Sequence, residues 1–148
     1  MDGQPTVELQ HLGDFRFEAR FGHGLPALQT DEQPPLGQGQ GPSPVQMLAT
    51  AVGNCLSASL LFAFRKFKED PAGIRCAVQA DVGRNAEGRM RVLGLQATLT
   101  LGAAATALPH AERVVASFES YCTVTQSVRQ GIPVQVTVVD ATGTALTK

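Results

Sequence analysis

From Met47 to Phe64 the chain is almost wholly apolar, broken only by Thr50, Gly53, Asn54, Ser57 and Ser59. Ser43 ahead of this run can cap free helix amides, and Pro44 suits a first helical position. Arg65, Lys66 and Lys68 stand where a helix dipole favours cations, and Pro71 ends the pattern. The run predicts one helix of about 25 residues, roughly 37 Å long. Met47, Leu48, Ala51, Val52, Cys55, Ser59 and Phe62 recur at helical spacing and form the expected core stripe. A helix this apolar needs cover on every side, which a single small chain is poorly able to give, so it fits a dimer. A membrane span needs about 20 mostly apolar residues, and the polar interruptions favour a buried core helix over a span.

The flanking segments read in period two. Phe15, Phe17, Ala19 and Phe21 alternate with Arg16, Glu18 and Arg20, the pattern of a half-buried strand. Val7 and Leu9 suggest a shorter strand before it, with Gly13-Asp14 as the turn. Residues Asp31 to Pro44 are dominated by Gly, Pro and Gln, and form a long loop of the kind that tends to be functional in a small domain. After the helix, Ile74 to Val82 places Cys76, Val78, Ala80 and Val82 on one face, and Arg84 to Gly88 is a turn. Met90 and Val92, then Leu95, Ala97, Leu99 and Leu101, form the return strand, and the change of phase at Leu93-Gly94 predicts a bulge. Pro109 opens a second helical region with Val114, Val115, Phe118 and Tyr121 or Cys122 on one stripe. Thr123 to Gln130 reads as a short helix stopped by Gly131 and Pro133, and Val134, Val136 and Val138 as a last strand. Antiparallel strands set between helices argue for an α+β fold, one domain over residues 1–148.

Composition narrows the function classes. Hydrophobic residues are 43% of the chain and charged residues 17%, enough for a packed core. A formal net charge of -1 with no long basic run argues against a nucleic-acid surface. Seven Phe and one Tyr make a base-stacking platform an unlikely use of the chain. Met1 to Gln10 is polar and lacks the apolar stretch of a signal peptide, so the expected location is the cytoplasm, without a membrane. Cysteines there are usually reduced, and disulfides transient and catalytic.

Three cysteines remain to be explained, Cys55, Cys76 and Cys122. Their separations of 21, 46 and 67 residues match no zinc pattern, and His11, His23 and His110 have no partner at ligand spacing, so no metal is expected. Cys76 shares a strand face with Val78 and Ala80 and reads as a small buried hydrophobe. Cys55 lies mid-helix among Ala51, Asn54, Ala58 and Ser59; small neighbours let a reactant approach, although cysteine in this position is often only core. Cys122 follows an aromatic residue where a helix begins, so it meets free amides and the positive end of a dipole, which lower a thiol pKa. A junction core residue is the other reading of Cys122. Spacing alone does not bring Cys55 and Cys122 together.

Gly41-Pro42-Ser43-Pro44-Val45-Gln46-Met47-Leu48-Ala49-Thr50-Ala51-Val52-Gly53-Asn54-Cys55 resembles the helix start of the OsmC/Ohr superfamily, in which a redox cysteine follows the proline by eleven residues. Ser120-Tyr121-Cys122-Thr123-Val124 resembles its second-cysteine motif, and the likeness covers nearly the whole chain. The resemblance implies an α+β fold with strands packed on two central helices, built as an intertwined homodimer with sites at the subunit interface. It implies that Cys55 is the peroxidatic cysteine and Cys122 the resolving one, with an organic hydroperoxide as substrate and hydrogen peroxide as a further one. It also implies no bound cofactor and a small external dithiol as reductant.

The sequence departs from that pattern at defined positions. Val45 stands where family peroxidases carry a glutamate that orients an arginine, and Asp31 to Ser43 contains no arginine. Thr123 replaces the usual proline. Arg16 and Arg20 are candidates to stabilise the thiolate, although the residues themselves favour a solvated strand face paired with Glu18. Three readings follow: a thiol peroxidase, an OsmC-like redox-sensing or ligand-binding protein with little turnover, and a structural dimer with core cysteines.

Overall fold

In a computed structural model, which describes residues 3–146, the apolar run forms helix α1, Pro44–Lys66. Its start is fixed by a reciprocal cap. The Gln46 amide donates to Ser43 Oγ at 3.2 Å, and the Ser43 amide donates to Gln46 Oε1 at 2.9 Å. Val52, Gly53, Leu56, Leu60 and Phe64 are the buried residues of α1. The expected stripe is therefore displaced: Val52 belongs to the buried face, but Cys55 and Ser59 are half-buried and Ala51 and Phe62 are exposed. A helix apolar on most sides does not choose its own buried face; its neighbours do. Contrary to the expectation from the polar interruptions, α1 does reach the length and apolarity of a membrane span, but it packs against strands and helices of its own chain.

Those neighbours are an antiparallel hairpin, β4 (Ile74–Arg84) and β5 (Met90–Leu101), and two short helices, α2 (Ala111–Ser117) and α3 (Thr123–Gln130). Val52, Leu56, Leu60 and Phe64 close a core with Leu108, Val114, Phe118 and Cys122. Each fully buried aliphatic or phenyl side chain contributes about 1.5–3 kcal/mol by leaving water. Gly53 lets α1 approach β4, because a Cβ there would stand 2.7 Å from Val78 Cγ2 and 3.3 Å from Cys76 Sγ. The predicted bulge is at Leu93: Asp81 pairs Gly94 and Val82 pairs Val92, leaving Leu93 as the extra residue. That insertion keeps Met90 and Val92 on the same face as Leu95, Ala97, Leu99 and Leu101, although they are out of step in sequence.

A second sheet holds β1 (Glu8–Gly13), β2 (Arg16–Arg20) and β3 (Leu28–Thr30) in antiparallel order. The strand β3 went unforeseen because its three residues contain a single large apolar side chain. Ala19 is fully buried, whereas Leu9 and Phe15 are exposed. The loop that follows is ordered by Asp31, only 2% exposed. Its carboxylate accepts from the amides of Glu32 (2.8 Å), Gln38 (3.2 Å) and Gln40 (3.1 Å).

Two expectations for the second half need correction. Tyr121 and Val115 are exposed, and it is Cys122, 0% exposed, that completes the stripe of Val114 and Phe118. The last strand over Val134 to Val138 is not formed; only β6 (Val138–Val139) pairs, with β7 (Ala145–Leu146). Val134 is 81% exposed, because this segment meets no open strand edge within the chain. The architecture is α+β, with antiparallel sheets and three helices.

Candidate active site

Cys55 is carried by the middle of α1 and Cys122 by the junction between a 3-10 turn, Phe118–Tyr121, and α3. Cys122 occupies the N-cap position of α3, its carbonyl accepting from the Gln126 amide at 3.0 Å. This puts the sulfur where the first turn of a helix presents unpaired amides. The two cysteines are close enough for each to shift the other's ionisation, and the Val124 and Thr125 amides act on Cys55 as well. Cys122 Sγ is 3.0 Å from Thr125 Oγ1; the thiol donates when neutral, and the hydroxyl can turn to donate once the sulfur ionises.

The environment separates the two thiols. Burial pushes Cys55 up from the usual 9.0, its hydrogen bond with Cys122 adds to that, and the α3 amides only partly offset it. At Cys122 burial again opposes ionisation, but hydrogen bonds from Cys55, Thr125 and Ser59 outweigh it and lower the thiol. The pair thus releases its first proton more easily at the buried sulfur than at the one solvent reaches.

Solvent reaches Cys55 through a cavity of about 680 Å³ between α1 and the α2 region. Phe62, Lys66, Arg113 and Tyr121 are exposed residues of its lining. Lys66 Nζ lies 5.0 Å from the Phe62 ring centre and 5.6 Å from that of Tyr121. Arg113 lies 5.6 Å from the Phe67 ring, whose position is set by a parallel stack on His110 at 4.4 Å. His110 is held in turn by Glu69, whose Oε1 accepts from the backbone amide and lies 2.9 Å from Nδ1.

The other candidates lie elsewhere. Arg20 is exposed and pairs with Glu18 at 2.6 Å, and Arg16 lies near Asp31; within the chain neither borders the cysteine cavity. Cys76 lines a separate depression with Asn54 and Ser57, so Asn54, unlike Ser59, does not face the cysteine pair. Among the described residues no group of three His, Cys, Asp or Glu side chains converges. Sequence reasoning missed Lys66 and Arg113 as cations of this cavity. The signal for Lys66 was its place eleven residues after Cys55, three helical turns along one face.

A family model described as OsmC-like protein matches residues 37–137 of the chain. No curated protein matches the sequence significantly. Among solved structures, a putative osmotic stress induced and detoxification response protein from Psychrobacter arcticus superposes with a TM-score of 0.69 at 22% identity, covering 86% of this chain and 90% of that one. An organic hydroperoxide resistance protein OsmC from Legionella pneumophila gives 0.64 at 17% identity, covering 86% and 92%. The organic hydroperoxide resistance protein OhrB of Bacillus subtilis gives 0.64 at 14% identity, covering 84% and 90%. At these identities the likeness is one of fold.

Proposed function

Because the chain belongs to the OsmC-like family, we propose that it reduces organic hydroperoxides with Cys55 and Cys122 as a two-cysteine redox pair. The observation that carries this reading is a half-buried sulfur, Cys55, lining a cavity, with the buried Cys122 acting on its ionisation. Cys122 in its thiolate form takes the Cys55 proton, and the Cys55 thiolate attacks the outer peroxide oxygen. An S–O bond forms, the O–O bond breaks, and the alkoxide leaves as an alcohol after protonation. The Cys55 sulfenic acid then reacts with Cys122, forming a disulfide and releasing water. A small external dithiol restores both thiols. The protein works as a homodimer in the reducing cytoplasm, with the exposed residues Leu9, Phe15, Val134 and Val136 covered by the second copy.

The test is thiol counting on folded protein before and after one equivalent of cumene hydroperoxide, with mass spectrometry to locate any new bond. Loss of two of the three thiols and a Cys55–Cys122 link are expected. The Cys122→Ser variant is expected to stop at over-oxidised Cys55 without turnover. Because the Cys122 thiol is lowered, the oxidation rate should rise with pH and level off below the ordinary 9.0.

The second reading, a ligand-binding or redox-sensing protein with little turnover, is favoured by Val45 and by the arginine-free loop before α1. Three intact thiols after peroxide treatment would select it.

A further inference from the structure

Helix α1 ends in a chain reversal that brings Glu69 to the start of α2. Lys68 takes the left-handed conformation, φ 57°, that glycine usually supplies at a helix end. The Lys68 amide donates to the Arg65 carbonyl at 3.0 Å and the Glu69 amide to the Phe64 carbonyl at 3.1 Å, which closes the last turn. The Glu69 side chain, 8% exposed, then meets His110, the residue before α2. No side chain of α2 caps its own start. Glu69 brings a carboxylate there instead, and its Oε1 accepts from both the His110 amide and Nδ1–H at 2.9 Å.

Pairing does not account for the burial of this carboxylate. Its other oxygen, Oε2, is buried without a hydrogen-bond partner among the described residues. A buried polar atom left so weighs against folding. A surface fastening needs no such burial. What the inward turn provides is a chain of contacts that ends in a cavity wall. His110 lies parallel on the Phe67 ring at 4.4 Å, and Arg113, one turn further along α2, lies 5.6 Å from the centre of the same ring. Phe67 and Arg113 both line the cavity that holds Cys55. The two hydrogen bonds that tie the end of α1 to the start of α2 thus run through a single oxygen of Glu69.

We propose that Glu69 is a positioning residue for the cysteine cavity: through His110 it fixes the start of α2 and the Phe67 ring, and so sets how bulky a molecule can reach Cys55. The proposal rests on the two-cysteine reading only for the use made of that access. Phe67 follows Cys55 by twelve residues (67 minus 55), about 18 Å of helix, so the effect falls on entry and not on the chemistry at sulfur.

Access is read without peroxide. The reduced full-length protein is alkylated with iodoacetamide and with its phenyl derivative iodoacetanilide, and Cys55 and Cys76 are followed separately by mass spectrometry. Both reagents form an S–C bond and release iodide, so the ratio of their rates reports access to a thiol and not its reactivity. Cys76, half-buried in a separate depression, is the internal control. Glu69→Ala is expected to raise the iodoacetanilide-to-iodoacetamide ratio at Cys55 about fivefold, with the ratio at Cys76 unchanged. Glu69→Gln keeps the accepting oxygen and is expected to keep the Cys55 ratio of the unmodified chain. His110→Ala, a change at a half-exposed side chain, is expected to raise the ratio at Cys55 alone and serves as the test if Glu69→Ala does not fold. An unmoved Cys55 ratio in the alanine variants overturns the proposal. So does an equal rise at Cys76, which marks general loosening, or a Gln variant as open as the Ala one. With cumene hydroperoxide, Glu69→Ala is expected to raise KM about fivefold at unchanged kcat, and a fall in kcat at unchanged KM overturns the proposal. Three thiols untouched by the peroxide is a failure of the two-cysteine reading alone, and the alkylation ratios then decide this one.

Discussion

Two regions of this molecule treat apolar residues in opposite ways. Around α1, the side chains of Leu60, Phe64, Leu108 and Val114 are withdrawn from water almost completely. In the N-terminal sheet and the segment after Gly131, Leu9, Phe15, Val134 and Val136 stand in solvent although their sequence is as apolar. The first region has three elements converging on one helix, and the second has short strands that pair only locally. Burial follows the supply of a second layer, not the hydrophobicity of the segment. The α1 core closes within one chain, while these other segments have no second layer within it.

Three substitutions test that contrast. Phe64→Ala should cost about 3–5 kcal/mol in urea unfolding, because it empties a fully enclosed site. If it costs no more than a surface change, the α1 core is not the stabilising centre. In the proposed dimer, Val134→Asp with Val136→Asp should raise the dissociation constant about a hundredfold, or about 2.7 kcal/mol, measured by sedimentation. An unchanged oligomeric state would mean that these valines remain solvated.

The smallest effect is set by pH. Asp31 is held below its usual 3.8 first by the Gln40 amide, with burial opposing, then by the Glu32 and Gln38 amides and the Arg16 charge. A lowered folded pKa means that its stabilisation is fully present above about 3.8 and is lost as pH falls through the lowered value. Asp31→Asn should therefore be less stable than the unmodified chain at neutral pH, and the gap should close in acid. A gap independent of pH would assign the loss to shape and not to charge.

The parts legible in the sequence were those governed by local rules. Ser43, Pro44 and Gln46 mark the start of α1 because a capping box is a contact between near neighbours. The Leu93 bulge was visible as a slipped alternation, and Gly131 as the stop of α3. Which face of α1 is buried was not legible, because that depends on where β4 and α2 dock. The same limit applied to the site: Cys122 at a helix start could be read locally, but its approach to Cys55 depends on α3 folding back on α1. Arg113 was invisible for a related reason, lying 58 positions from Cys55 on a separate helix (113 minus 55).

Leu93 acts on the hairpin as an inserted letter acts on a reading frame of two. Were it paired in step and not skipped, the strand would be decoded one step out of phase beyond Gly94, and Leu93 and Arg91 would take the places of Val92 and Met90. The bulge that skips this single residue restores the frame and carries one uninterrupted apolar face from Leu101 to Met90, past the point where α1 and its neighbours cover it: Val82 and Met90 remain 50% and 53% exposed. Deleting Leu93 alone would therefore straighten the ladder without changing its faces, leaving Val92 opposite Val82 and Met90 opposite Arg84.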